Sequence, residues 1–277
     1  MSADLHCHSK ISDGSTAIDE LVLLAKHKGL NAISVTDHDT FQGSERAMVF
    51  GEKFGVKIIP GTEISCFDYN RKRKVHLLCY MPNNTERLSS VLRATNRSRK
   101  KAMSVSIQKV MRAYPIPYDM ILRRSAGSSS IYKQHVMQAL MDAGYTDEMF
   151  GDLFRKLFDR RFGIAKTSFE YPDVFQALRL VKESGGVAVL AHPAVYDSYD
   201  VMLELIEKGL DGIEVNYPRA RDTDAEELSK LCVRHGLIMT GGTDFHGVNT
   251  SNVNPIGTCT TTDEQLQKLI ELAESRK

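Results

Sequence analysis

The chain predicts an α/β fold, a parallel sheet covered by helices and closed or nearly closed into a (β/α) barrel. Three observations predict it. One unit recurs along the 277 residues: an amphipathic helix, a glycine and a short strand apolar on both faces. The unit is present toward both ends of the chain, which favours closure over an open sheet. The residues able to do chemistry recur at one place in the unit, directly after the strands, where parallel α/β folds build their active sites.

Taken in order, Asp4-Leu5-His6-Cys7-His8 opens the chain as a strand. A helix is predicted from a capping box at Thr16-Ala17-Ile18-Asp19, through Leu21 and Leu24, to a stop at Gly29. The β-branched strand Ala32–Thr36 follows, then a helix to Phe54 and Gly55, then the strand Val56–Ile59. The pattern returns with a helix ending at Gly185-Gly186 and the strand Val187–Leu190. A helix over Val201–Lys208 precedes the strand Gly212–Val215, and a helix to His235 precedes Leu237–Thr240.

Between Pro82 and Tyr171 the repeat stops. That stretch holds helical patterns at Arg87–Ala113, Tyr132–Ala143 and Glu148–Phe158, punctuated by Pro115, Pro117 and Gly127-Ser128-Ser129-Ser130. It reads as a helical insertion (82–171), a lid carried on a barrel made from 1–81 and 172–277. Charge is concentrated nearby. Residues 71–124 carry fourteen Lys or Arg against two acids, Glu86 and Asp119, in a chain of net charge +1. Such a block favours an anionic partner. No apolar run approaches the roughly 18 residues of a membrane span, and no apolar leader core is present. The five cysteines are scattered with no Cys-x-x-Cys. The expectation is a reduced, cytoplasmic protein with no disulfide frame and no membrane partner.

His6 and His8 close the first strand on one face, because side chains at i and i+2 point the same way. Asp37-His38-Asp39 follows the second strand, Glu63 lies just past the third, and His192 follows Leu190. Asp244 and His246 follow the last strand, and Asp13 comes soon after the first. His27 and His235 differ, since both fall in last helical turns, where a cation suits the helix dipole. Five imidazoles and three carboxylates exceed the three protein ligands of one catalytic zinc. The set therefore predicts two or three divalent ions. Nitrogen and oxygen donors without thiolate suit Mn, Fe or Zn. Clustered ions activate water and neutralise phosphoryl charge, and with the basic insertion they point to phosphate-ester hydrolysis.

Six motifs resemble, in order, those of the polymerase and histidinol phosphatase (PHP) family. They are His6-x-His8 with Asp13, Thr36-Asp37-His38-Asp39, Gly61-Thr62-Glu63, His76-Leu77-Leu78-Cys79-Tyr80, Ala191-His192-Pro193 and Gly242-Thr243-Asp244-Phe245-His246-Gly247. The likeness is to the stand-alone nucleotide phosphoesterases, of the AMP or nucleoside 3′,5′-bisphosphate type. It implies a distorted (β/α)7 barrel with a helical insertion. It also implies one metal on His6, His8, Glu63 and Asp244, a second on Glu63, His76 and His192, and a third on Asp13, His38 and His246. His76 enters the set only through the resemblance. Asp37 and Asp39 would orient imidazoles, which places Asp37 with the catalytic groups. Lys133, His135 and Lys166 would contact phosphate, His135 also polarising it or serving the leaving oxygen. Arg219 and Arg221 would reach a second phosphate. Lys133 stands where an Arg is usual, Cys79 where a Gly is usual, and Ala165 where a Gly precedes the lysine. These departures bear on substrate geometry rather than on metal binding.

The expected reaction is in-line attack on phosphorus by a hydroxide bridging the ions, releasing phosphate from a small nucleotide monoester. A 5′–3′ exonuclease on short RNA or DNA is the alternative that the basic block favours. A histidinol phosphatase fits the insertion less well. The carboxylate set argues against a metal amidohydrolase, and the full complement of ligands argues against a non-catalytic barrel.

Overall fold

The computed structural model describes residues 2–221 and 223–277. The chain starts with β1 (Ser2–Cys7), α1 (Ile18–His27), β2 (Ala32–Val35), α2 (Gln42–Phe54) and β3 (Lys57–Ile58). A hairpin follows, β4 (Gly61–Asp68) and β5 (Arg73–Tyr80), and then four helices: α3 (Glu86–Ala113), α4 (Tyr118–Arg124), α5 (Lys133–Asp142) and α6 (Asp152–Phe158). Alternation resumes with α7 (Val174–Glu183), β6 (Val187–Leu190), α8 (Pro193–Tyr196) and α9 (Tyr199–Glu207). It continues through β7 (Gly212–Asn216), α10 (Asp224–His235) and β8 (Ile238–Gly241), and ends in β9 (Thr261–Thr262) and α11 (Asp263–Glu274). The capping acid of α1 is Glu20 rather than Asp19: its Oε2 accepts from Ala17 N at 3.1 Å, and the helix starts at Ile18.

The fold is mixed α/β, and its strands form two sheets rather than one closed barrel: β3-β2-β1-β9 and β4-β5-β6-β7-β8. The sheets meet at two seams through isolated bridges, Cys7 with Phe245 and His38 with Glu63. Between β1 and the segment after β8, a buried carboxylate takes the place of a ladder. Asp4 accepts from Thr243 N (2.9 Å), Thr243 Oγ1 (2.5 Å) and Gly257 N (2.8 Å).

The expectation of an all-parallel sheet also needs correction. β5 runs antiparallel to both β4 and β6. Only residues 69–72 separate β4 from β5, too few for the crossover that a parallel pair requires. The carboxylate of Asp68 shapes this turn by accepting from Asn70 N and Arg71 N. Glu63 is therefore inside a strand rather than just beyond one. Ile64 and Cys66 of β4 enter the core, while Glu63 and Ser65 point to the opposite face. On β5 the residue opposite Glu63 is Leu78, which makes His76 its diagonal neighbour on that face.

Burial organises the rest. Leu77, Cys79, Ala188 and Leu190 pack against α7 and α9, and Ile33 and Val35 against α1 and α2. Leu5 of the first sheet and Leu78, Val189 and Ile238 of the second share a cluster with Leu269 and Ala273 of α11. Helices α3 to α6 close on a cluster of their own that includes Met103, Ile107, Ile121, Met137, Leu140 and Leu157.

Asp4→Ala would leave the donors of Thr243 and Gly257 unpaired in the seam. We expect a loss of roughly 2–4 kcal/mol, read from urea unfolding. A loss within experimental error would contradict the role given to this carboxylate.

Candidate metal centre

The site is built around one carboxylate. Glu63 is 1% exposed and its two oxygens face five imidazoles. Oε1 lies 2.6 Å from His76 Nδ1 and 2.8 Å from His192 Nε2. Oε2 lies 3.2 Å from His8 Nε2, 3.2 Å from His38 Nδ1 and 3.4 Å from His6 Nε2. Asp244 Oδ1 extends the array, at 3.3 Å from His8 Nε2 and 3.4 Å from His246 Nδ1. Asp13 Oδ1 stands 3.4 Å from His246 Nε2, and its Oδ2 stands 3.9 Å from His38 Nε2.

All nine residues expected to bind metal are thus together. Their donor atoms fall into four overlapping groups: His6/His8/Asp244, His6/Glu63/His192, His38/Glu63/His76 and His8/Asp13/His38/His246. This differs from the partition that the resemblance implies, chiefly in placing His8 with Asp13, His38 and His246. The donor set fits divalent ions. His6 Nε2, His8 Nε2, His38 Nδ1 and His192 Nδ1 are buried with no hydrogen-bond partner, a costly arrangement unless a cation takes their lone pairs.

Electrostatics point the same way. Burial disfavours charge on His6 and His8, but the surrounding carboxylates outweigh it. They hold His6 well above its usual range and push His8 up to about 10. Burial would likewise raise Glu63, Asp13 and Asp244, yet the neighbouring imidazoles hold all three well below the ordinary carboxylate range. His38 is held well below its usual value, chiefly by burial.

One positioning residue escaped the sequence reading. Glu214 of β7 lies with Oε1 3.0 Å from His6 Nδ1, and its Oε2 accepts from His192 N at 2.7 Å. It fixes two candidate ligands from opposite sheets. The available signal was a lone acid within the apolar strand Gly212-Ile213-Glu214-Val215. Two expected orienting groups act elsewhere. Asp37 accepts from Ser9 N, Ser9 Oγ and Ser12 Oγ, so it fastens the loop that carries Asp13 rather than an imidazole. Asp39 binds Arg99 of α3 and Ser65 N, which ties α3 to the site.

Backbone geometry is unusual here. His192 (φ 26°) and Asp244 (φ 49°) occupy the left-handed region, strain of the kind that surrounding contacts must hold in place. Gly242 is required sterically, because a Cβ there would lie 2.3 Å from the Cβ of His6.

A cavity of about 370 Å³ opens onto the cluster and is lined by Asp13, His38, Glu63, Asp244, Tyr196 and Arg219, among others. Arg219 Nη2 lies 3.4 Å from Asp244 Oδ2. A second cavity of about 220 Å³ shares Asp13, His38, His76 and Tyr196 with the first and adds three cations, Lys74, Arg99 and Lys133. Lys74 and Lys133 rest against aromatic rings. Burial foremost, with neighbouring cations, lowers each to about 8.

Three expected phosphate contacts are not brought to either cavity. His135 is buried, its Nδ1 accepts from Tyr132 N, and burial lowers it to about 4; it caps its helix. Lys166 is exposed, with its carbonyl accepting from Lys109 Nζ. Arg221 is held by Asp224 and stacks on Tyr199. The neighbour Gln134 does reach the site, where its Nε2 donates to Asp13 Oδ2 at 2.9 Å.

The sequence profile of the PHP domain matches residues 4–217. The chain belongs to the PHP family. Within it, the chain is 36% identical over 249 residues to a phosphoribosyl 1,2-cyclic phosphate 1,2-diphosphodiesterase of Eggerthella lenta, covering 89% of this chain and 95% of the relative. It is 27% identical over 251 residues to a 3′,5′-nucleoside bisphosphate phosphatase of Chromobacterium violaceum, covering 88% and 86% respectively. A solved structure described as a metal-dependent phosphoesterase of Bifidobacterium adolescentis superposes with a TM-score of 0.88 at 28% identity, over 98% of this chain and 96% of that one.

Two predictions follow from this PHP centre. Glu214→Gln removes the charge behind His6 and is expected to weaken manganese affinity about 10–100-fold; unchanged affinity by calorimetry would contradict the positioning role. Because His8 stays protonated up to about pH 10 without metal, ion binding at pH 7 must displace protons and affinity must rise with pH. Titrations in buffers of different ionisation enthalpy measure that release, and zero release would contradict it.

Proposed function

We propose that this PHP protein is a metal-dependent phosphoesterase acting on a small nucleotide that carries a second anionic group. The observation that carries this reading is the pair of adjoining cavities. One opens on the nine-residue donor cluster, the other holds Lys74, Arg99 and Lys133, and Asp13, His38 and His76 line both. Two or three divalent ions, Mn, Zn or Fe, suit a donor set with Glu63 as the shared carboxylate. When bound, such ions supply acidified water and neutralise phosphoryl charge.

The protein's own residues do the rest. Among the described residues Lys74 and Lys133 have no carboxylate partner, so they are able to pair with the anion remote from the scissile bond. Arg219 reaches the outer edge of the first cavity and meets charge on the phosphoryl group. Gln134 and Glu214 keep Asp13, His6 and His192 in place. Tyr196, whose hydroxyl burial pushes up in pKa, stays a hydrogen-bond donor at the wall common to both cavities. His135, neutral and engaged in capping, takes no part in proton transfer. Residues 82–171, which supply Arg99, Lys133 and Gln134, act as the lid over a core made from 1–81 and 172–277.

A second reading, hydrolysis of a cyclic phosphodiester on ribose, is favoured by the 36% identity to the Eggerthella lenta diphosphodiesterase. One panel separates the two. Manganese-loaded and chelated protein would be offered AMP, a nucleoside 3′,5′-bisphosphate, a ribose cyclic phosphate and histidinol phosphate. Metal-dependent release fastest from the bisphosphate supports the first reading, and turnover of the cyclic ester alone supports the second. Lys133→Ala should raise KM about tenfold or more for the bisphosphate and far less for AMP. KM for the bisphosphate should also rise above about pH 8, where Lys133 loses its proton. Equal effects on both substrates would contradict the assignment.

A further inference from the structure

A third cavity, of about 260 Å³, lies within the helical insertion, apart from the donor cluster. Three stretches of chain wall it. Lys100, Ser104 and Ile107 follow one another on α3 at spacings of four and three residues, so they share a helical face. Tyr118 and Leu122 share a face of α4 in the same way, and the loop after α4 closes the third side. Tyr118 and Leu122 stay 44% and 42% exposed, while Ile121 between them is buried in the cluster that α3 to α6 enclose.

The chemistry of this lining selects a class of ligand. Ser130 is 3% exposed and its Oγ has no hydrogen-bond partner among the described residues, a cost that a polar ligand atom would remove. Lys100 has no carboxylate partner among the described residues, and no Asp or Glu among them lines the cavity. The polar groups are therefore one ammonium and several hydroxyls, set beside Ile107, Leu122, Ile131 and the ring of Tyr118. That combination suits a single negative charge on a flat apolar body. A phosphate ester would bring nearly two charges to one ammonium, and a neutral ligand would leave Lys100 unpaired.

The loop wall also grips the loop that carries Asp13. Ser128 Oγ donates to Ser12 O at 2.8 Å, and Ser129 N donates to Ile11 O at 2.7 Å. Ser12 Oγ donates in turn to Asp37 Oδ1 at 2.6 Å. Farther along the same stretch, Ile131 lines both this cavity and the cationic one, and Gln134 donates to Asp13 Oδ2. Residues 128–134 thus run from the cavity wall to a candidate metal ligand.

We infer that this cavity is an effector site for a small aromatic carboxylate, coupled to metal binding through residues 128–134. The carboxylate pairs with Lys100 and the Ser130 hydroxyl, and the ring packs on Tyr118, Leu122 and Ile107. The inference does not depend on which ester the metal centre hydrolyses.

The test is calorimetry of the protein with benzoate, phenylacetate and naphthoate, each beside its uncharged amide, with and without manganese. At least one acid is expected to saturate at millimolar concentration and to bind about tenfold or more tightly than its amide. Lys100→Ala should weaken that acid by a similar factor. Ser130→Ala should weaken it too, while leaving the urea midpoint of the free protein unchanged or raised, because it removes a hydroxyl without a partner. Coupling has its own signature: the acid changes manganese affinity, and manganese changes the acid's affinity by the same factor. Ser128→Ala should keep acid binding and bring that factor close to one. No saturation by any acid, equal binding of acid and amide, or an affinity indifferent to Lys100→Ala, which would put the acid on the metal ions, overturns the site. Acid binding that depends on Lys100 but leaves manganese affinity unchanged upholds the site and overturns the coupling.

Discussion

A carboxylate 1% exposed, faced by five imidazoles, is the constraint on which the rest of this structure depends. Taking Glu63 out of water is costly, and so is stranding histidine nitrogens without partners beside it. The fold converges five separate segments on that point. The β4–β5 hairpin delivers Glu63 and His76 on one face, and the His38–Glu63 bridge brings the first sheet to the second. The Asp4 seam holds the loop bearing Asp244 and His246 against β1. Divalent ions resolve the energetic difficulty, because they replace several protons with one concentrated charge that every donor can share.

A second tension balances the first. The insertion contributes an excess of positive charge to a protein of net charge +1, and it arrives beside a centre that is itself to be filled with cations. Asp39 neutralises Arg99, but Lys74 and Lys133 face a cavity with depressed pKa values and aromatic neighbours. An anionic ligand completes both the metal centre and the cationic cavity. On the proposed reading, a substrate with more than one negative group would meet both needs.

Much of this was legible in the sequence because it is local. Strand alternation announces His6 and His8, and the helix–glycine–strand unit places His192, Asp244 and His246 after their strands. What stayed hidden depends on contacts distant in the chain. Glu214 is a single acid in an apolar strand until His6, 208 residues away, is set beside it. Asp37 adjoins His38 in sequence, yet its partners are Ser9 and Ser12. His135 is two residues from Lys133, which lines the cationic cavity, but periodicity does not say which face of a short helix meets the site; Lys166 lies in the irregular segment after α6, where periodicity says nothing. The antiparallel course of β5 followed from a four-residue turn that the parallel reading overlooked.

The most direct test of a centre shared through Glu63 is anomalous diffraction at the manganese edge from crystals of the manganese-reconstituted protein. The account predicts at least two anomalous peaks within the cluster, each within coordinating distance of a different oxygen of Glu63 or both sharing one. A single ion held without Glu63, or none after verified loading, would contradict it.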